Sequence, residues 1–217
     1  HENEIAQSEA AFGVPLAKIW MHGEFLQVNE GKMAKSSEAF ITLDVLKKKG
    51  FSPFDLRYLY LSAHYRTQLN FTWEGLLSAH TALEKLYQFI SLVKPGQTGC
   101  AEYEHKFKDA VNDDLNIPQG LAIVWELIVD KEMPTEAKIN SLLKFDKVLG
   151  LKLDSPPELF VDAKGDIKLS ELVSSRADAR KIQDFTKADE LRKQIEVLGY
   201  EVMDTPEGQK IRKKLNL

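Results

Sequence analysis

The sequence predicts a mainly α-helical protein that begins with the edge of an α/β domain, continues as a helical bundle and ends in a small α/β module. Three observations carry this prediction. Apolar residues recur at spacings of three, four and seven between Thr42 and Gly150, the period of an amphipathic helix. Strand-like runs occur before residue 30 and again near residue 200. A Pro- and Gly-bearing stretch over 150–168, with Pro156-Pro157 and Lys164-Gly165, reads as a boundary ahead of the C-terminal segment. The chain thus divides into residues 1–50, 51–160 and 161–217.

Residues 1–11 read as a helix broken by Gly13-Val14-Pro15. The chain enters this helical text at His1 with no cap before it, so it reads as a fragment. Lys18–Met21 and Phe25–Val28 read as two short strands joined by His22-Gly23-Glu24, and Lys32–Glu38 as a polar loop. Val45 and Leu46 lie on one helical face before Gly50, and Pro53 starts a second helix through Leu56, Leu59, Tyr60 and Ala63. A long helix runs from about Thr72 to Val93 with Leu76, Leu83, Leu86, Tyr87 and Ile90 on its apolar stripe, until Lys94-Pro95-Gly96 stops it. Three further helices follow. Residues 101–112 group Tyr103, Phe107, Ala110 and Val111. Asn116 caps the next, with Gln119 completing a capping box, and Thr135 caps the last, which ends at Gly150. Beyond the boundary, Leu169–Gln183 and Phe185–Leu198 form a helical hairpin ended by Gly199. Tyr200–Met203 is then a short strand closed by Asp204-Thr205-Pro206-Glu207-Gly208.

The 217 residues are 43% hydrophobic and 29% charged with net charge −4, which fits a folded globular chain and excludes a uniformly basic nucleic-acid coat. A single cysteine, Cys100, excludes an internal disulfide framework, points to a reducing cytoplasmic setting, and reads as a surface thiol in a turn beside Gly99. No apolar run is long enough for a membrane span. The charge is uneven: residues 164–217 hold 12 basic and 10 acidic side chains, and Lys210, Arg212, Lys213 and Lys214 cluster near the end. That cluster would attract a phosphate backbone, although a solvated terminus is the commoner use of such a run.

Several constellations carry candidate chemistry. Lys32-Met33-Ala34-Lys35-Ser36 places two ammonium groups three apart on a loop, an arrangement that can grip a triphosphate and follow charge onto departing pyrophosphate. His1 with Glu2 and Glu4 offers metal-ligating side chains one helical turn apart, or simply acidic groups meeting a helix dipole. His64, Tyr65 and Arg66 either face RNA phosphates or satisfy a helix end. His22, His80 and His105 fit no metal-ligand or triad spacing and are assigned no chemistry.

Taken together, His1-Glu2-Asn3-Glu4-Ile5-Ala6-Gln7-Ser8-Glu9-Ala10, Trp20-Met21-His22 and Lys32-Met33-Ala34-Lys35-Ser36 resemble, in order and spacing, the second half of the cysteinyl-tRNA synthetases. Leu56-Arg57-Tyr58, Leu61-Ser62-Ala63-His64-Tyr65-Arg66, Asp113-Asp114-Leu115-Asn116 and Lys187-Ala188-Asp189-Glu190-Leu191-Arg192 through Gly208 extend the resemblance over nearly the whole chain.

The resemblance to this class I family implies the following roles. Residues 1–50 would end the catalytic nucleotide-binding domain, 51–160 would form the stem-contact and bundle region, and 161–217 would bind the anticodon. The lysine loop would be the KMSKS signature, with Lys35 binding ATP and Lys32 assisting at the phosphates. Ala34 departs from the usual serine there, and Ser37-Glu38-Ala39 from a common Leu-Gly-Asn. Glu4 matches a zinc ligand, His1 matches the second of two family histidines, and the remaining ligands and the HIGH signature would lie upstream. Zinc prefers the cysteine thiolate over the hydroxyl of serine, which would supply selectivity. Arg180, Asp189 and Asp204 match candidate contacts to unstacked anticodon bases. The implied activity is a cytoplasmic cysteine–tRNA ligase using cysteine, ATP, tRNA(Cys), zinc and magnesium, with this chain inactive alone. The alternatives are a related cysteine–amino sugar ligase and a noncatalytic RNA-binding helical module.

Overall fold

The structure is a computed structural model, and it describes residues 1–28, 31–32, 41–156, 167–205 and 208–215. The first helix, α1 (Glu2–Phe12), has Glu2 and Glu4 in its first turn, where carboxylates meet the positive end of the helix dipole. It ends at Gly13, whose φ of 68° is left-handed and lets its N–H donate to the Glu9 carbonyl. Three short strands follow the order β2-β1-β3: β1 (Leu26–Val28) pairs antiparallel with β2 (Gly31–Lys32) and parallel with β3 (Leu69–Phe71).

Lys18–Met21, expected as a strand, has no strand pairing. Its β-favouring composition meets no neighbouring strand among the described residues, and Ile19 is left 85% exposed. The segment is tied instead through the Glu24 N–H, which donates to the Tyr65 carbonyl at 2.8 Å. The β3 strand had no signal in the sequence because three residues are too few to show a period of two.

The bundle is built from α2 (Leu43–Lys48), α3 (Pro53–Leu61), α4 (Trp73–Ile90), α5 (Ala101–Asn112), α6 (Ile117–Val129) and α7 (Thr135–Leu149). The starts of α2, α3, α4 and α6 have a local side-chain reason. Thr42 and Thr72 accept from backbone N–H groups at the starts of α2 and α4. Ser52 and Asp55 form a reciprocal capping box on α3, with Pro53 at its first position. Asn116 Oδ1 accepts from the Gln119 N–H at 3.2 Å and caps α6.

Thr135 does not cap α7. Pro134 occupies the cap and Thr135 is the first helical residue, since proline's fixed φ suits this junction and its missing N–H is no loss there. The other end of the preceding helix is closed by Lys138, whose Nζ donates to the carbonyls of Ile128 and Asp130.

One contiguous core runs from Leu46 to Leu153 and includes Leu76, Leu83, Leu86, Val124, Leu127, Leu142 and Phe145, with Phe107 stacked on Phe145 at 4.1 Å. Its helices are held crosswise by polar groups that reach distant carbonyls: Arg57 Nε donates to Leu149 O at 2.6 Å and Tyr87 Oη to Leu151 O at 2.7 Å. Gly150 is required here. Its φ is +63°, and a Cβ would lie 2.7 Å from an Arg57 nitrogen. Cys100 is buried rather than a surface thiol, because α7 packs over it and Ser141 Oγ accepts its N–H at 2.7 Å; burial pushes the thiol pKa up.

The C-terminal module comprises α8 (Ile167–Lys181), α9 (Phe185–Val197), β4 (Tyr200–Thr205) and β5 (Gly208–Lys213). The helical hairpin forms as the sequence predicts. The single predicted strand is one arm of an antiparallel β-hairpin, with Val202 opposite Ile211 and Glu201 opposite Arg212. Its own core is small: Leu169, Ile195 and Val202 in one cluster and Ala179, Ala188 and Leu191 in another. No helix among the described residues is long and apolar enough to cross a membrane.

Candidate functional site

At the N-terminal end, the cap residue at the start of α1 and the segment that follows the helix assemble a small aromatic group. His1 stacks on Trp20 with ring centroids 4.5 Å apart and on His22 at 4.8 Å. The two Nε2 atoms are 2.5 Å apart, so one must donate and the other accept, since two bare lone pairs would repel. Sequence spacing assigned His22 no chemistry because its partner lies 21 residues away. Glu4 is exposed, with its carboxylate 3.8 Å from His1 Nδ1.

Zinc takes four ligands in structural sites and three in catalytic ones, and no group of three His, Cys, Asp or Glu among the described residues could hold a metal. Glu4 and His1 therefore do not make a zinc site by themselves. Lys32 lies in β2, opposite Gln27, and Lys35 falls outside the described residues with the rest of Met33–Phe40.

In the C-terminal module, α8 projects Arg176 and Arg180 one turn apart toward β4. Arg176 is almost completely buried and grips Asp204 with two parallel bonds of 3.0 and 3.1 Å, while also donating to Gln209 Oε1 at 2.7 Å. Gln209 in turn donates to the Val173 carbonyl. Arg180 Nη1 donates to Asp204 Oδ2 at 2.9 Å. The bonded Arg176 guanidinium holds the Asp204 carboxyl below the usual carboxylate range.

Two of the three predicted base-contacting residues are thus brought together as a pair backed by a buried arginine. Each remains partly open, at 44% exposure for the Arg180 side chain and 42% for Asp204. Asp189 stands apart from them, exposed on α9. The spacing reading missed Arg176, yet a signal existed. Leu169, Leu172, Val173, Arg176 and Ala179 continue one apolar stripe, and a cation on such a stripe needs an anionic partner.

His64, Tyr65 and Arg66 turn toward the α5–α6 junction. His64 Nε2 lies 2.9 Å from the Asp114 carbonyl, Tyr65 Oη donates to Asp114 Oδ1 at 2.7 Å, and Arg66 Nε donates to Oδ2 at 2.7 Å. Arg66 and Tyr65 pull the Asp114 carboxyl down to about 2. Of the two readings open for this trio, the satisfied helix end describes its contacts.

A second cluster carries no sequence signature. His80 lies with Nδ1 3.2 Å from Asp55 Oδ2 and Nε2 3.4 Å from Glu84 Oε1, against the edge of Phe51. Its Nδ1 is not aimed along a hydrogen bond, so the Asp55 contact is an ion pair in character. Burial pulls the imidazole pKa down, but the two carboxylates outweigh it and raise it to about 9.

A folded-state pKa above the unfolded value gives a stabilisation that is fully present below about 6.5 and fades as pH rises through about 9. The His80 ring resonances are therefore expected to titrate near 9 by NMR, and Asp55→Asn to move the midpoint down toward the ordinary range. A midpoint near 6.5 in the unsubstituted chain would contradict this geometry.

The same Glu84 carboxylate receives Arg212 Nη1 at 2.6 and 2.5 Å, and Arg212 also grips Glu201 Oε2 at 3.1 and 3.0 Å. Of the basic cluster read as phosphate-facing or solvated, Arg212 is neither: it is part-buried between two carboxylates.

Two family models and several curated proteins match the chain. Residues 1–81 match the family of class I (C) tRNA synthetase catalytic domains, and residues 168–212 match the cysteinyl-tRNA ligase anticodon-binding domain. The cysteine–tRNA ligase 1 of Burkholderia lata is 41% identical over 212 residues, covering 97% of this chain and 44% of that protein. The cysteine–tRNA ligase of Protochlamydia amoebophila is 37% identical over 233 residues, covering 99% of this chain and 48% of that protein. That of Opitutus terrae is 40% identical over 213 residues, covering 96% and 44%. The chain spans about half the length of the curated relatives it matches. With a catalytic-domain match, an anticodon-domain match and such identity along nearly its whole length, the chain belongs to the cysteinyl-tRNA synthetase family.

Proposed function

We propose that the chain acts as part of a cysteine–tRNA ligase, which activates cysteine with ATP and transfers it to tRNA(Cys). The observation that carries the proposal is the co-linear order within one chain: a catalytic-domain match over 1–81 followed by an anticodon-domain match over 168–212. The second match argues against the amino sugar ligase alternative, and the first against a purely noncatalytic module.

In the first step the cysteine carboxylate attacks the α-phosphorus of ATP, forming cysteinyl-adenylate and releasing pyrophosphate. Lys35, with Lys32 three residues earlier in the sequence, stabilises the negative charge that develops on the leaving group. In the second step a hydroxyl of the terminal tRNA ribose attacks the activated carbonyl and AMP leaves. Magnesium accompanies ATP and neutralises part of its phosphate charge. Zinc, assigned through Glu4 by the family pattern, needs ligands beyond the described ones and would bind the cysteine thiolate. The single cysteine fits a cytoplasmic setting.

Arg180, Asp189 and Asp204 read the anticodon. Arg180 commits only Nη1 to Asp204, which leaves other N–H donors of its guanidinium for an unstacked base. Filter binding of the longer protein to tRNA(Cys) transcripts tests this. Arg180→Ala is expected to weaken cognate binding by about 1–3 kcal/mol, the scale of a good bidentate base contact, and to narrow the gap to anticodon-substituted transcripts. Undiminished discrimination would remove Arg180 from the reading surface.

A further inference from the structure

Arg212 occupies an unusual place for a residue in a basic C-terminal run. It sits on β5 of the C-terminal module, yet its strongest contacts leave that module and end on Glu84 of α4, 128 residues earlier. The side chain is only 23% exposed and Glu84 only 14%, so this contact is better shielded from solvent than a surface ion pair. Glu201, across the β-hairpin, fixes the other edge of the same guanidinium.

The contact continues into the bundle. Glu84 faces His80, His80 faces Asp55, and Asp55 Oδ2 accepts the Ser52 N–H at 2.7 Å in the capping box that starts α3. A second seam lies alongside. Leu215 packs against the bundle core, and a Cβ added to Gly50 would lie 3.1 Å from its side chain. Two contacts of different chemistry, one ionic and planar and one apolar, join the module to α2–α4 at separate points. A single contact would leave the module free to swivel, whereas two separated ones define an angle.

We infer that Arg212 is a positioning residue: through its fork onto Glu84 and Glu201 it sets the angle at which the C-terminal module stands on the bundle, and with it the register between the anticodon surface and the rest of the bound RNA. The inference rests on the ligase reading. A rigid RNA that must meet two distant surfaces at once tolerates little angular error, so misplacement weakens engagement without touching the chemistry of either surface. Arginine suits this use because its planar fork satisfies two carboxylates in fixed directions, which a lysine ammonium cannot do.

The test pairs a geometric measurement with a kinetic one. Nitroxide labels at Ala122→Cys on α6 and Lys193→Cys on α9, both exposed positions, report the module's orientation by electron–electron double resonance; Cys100 is buried and stays in place. The unsubstituted latch is expected to give a narrow distance distribution, and Arg212→Gln a broad one. Glu84→Ala is the second variant. It lies on the bundle side and leaves the module's own core of Leu169, Ile195 and Val202 unaltered, and it is expected to broaden the distribution equally.

In the longer protein, both variants are expected to raise KM for tRNA(Cys) about tenfold or more while ATP–pyrophosphate exchange is unchanged. Arg212→Lys should recover only part of the loss. A distribution as narrow in Glu84→Ala as in the parent, or an unchanged KM for tRNA, would overturn the inference. Failure of the ligase reading shows separately, as no charging of tRNA by the unsubstituted longer protein, while the distance distributions still decide whether Arg212 sets the angle.

Discussion

Lys35→Ala in the longer protein is expected to slow ATP–pyrophosphate exchange by about a hundred- to a thousandfold, equivalent to roughly 2.7–4 kcal/mol of lost transition-state stabilisation. The size follows from when the charge appears. Bound ATP carries its negative charge across three phosphates, but as the bond to the α-phosphorus breaks, charge accumulates on the departing pyrophosphate. A cation whose contact tightens at that moment lowers the barrier more than it strengthens ground-state binding. The effect should therefore fall mainly on kcat, with KM for ATP changing much less. Lys32→Ala is expected to act in the same direction with a smaller loss. Near-normal exchange in Lys35→Ala, or a loss confined to KM, would remove this lysine from its proposed role.

Arg176→Ala is expected to destabilise the C-terminal module by about 3 kcal/mol, the lower end for breaking a buried ion pair. The lower end applies because Asp204 is 42% exposed and can take up water once its partner is gone. Arg176 itself is nearly fully buried, so truncation also leaves a void beneath α8 and strands Gln209. The module has little apolar core with which to absorb such a loss. Amide exchange read by mass spectrometry should show fast exchange over residues 167–215 while the bundle around Leu127 and Leu142 stays protected.

Two companion measurements separate charge from volume in that result. Arg176→Met keeps most of the volume and removes the charge, so it should cost less than alanine. Because the Asp204 pKa is depressed in the folded state, the stabilisation from this pair is present above the ordinary aspartate value and is lost as pH falls through the depressed one. Acid should therefore loosen the unsubstituted module, and Arg176→Ala should show less of that sensitivity. Equal protection of the module in both proteins at neutral pH would refute the assignment.

The elements that sequence reading located share a physical property: their determinants lie within a few residues of one another. The apolar stripe of α4, the Asn116 cap of α6 and the Gly13 stop of α1 are each decided over one or two helical turns, so they can be read from a string of letters. The strand expected at Lys18–Met21 failed for the complementary reason. A strand needs a neighbour, and whether one is present is not a local property. Cys100 looked like a turn thiol because its cover comes from Ser141 and the rest of α7.

The candidate residues divide in the same way. Lys32, Lys35, Glu4, Arg180, Asp189 and Asp204 were named through the family resemblance, whose motifs are short strings of neighbouring residues. Arg176, His80, Glu84 and Arg212 were not, because each becomes significant through what stands opposite it. The sequence alone determined most of the helices and the family resemblance, since helix period, caps and motif spacing are short-range. Only the tertiary structure decided which charges are buried and with whom, because the stability of a buried charge depends on a partner that the fold brings from up to 128 residues away.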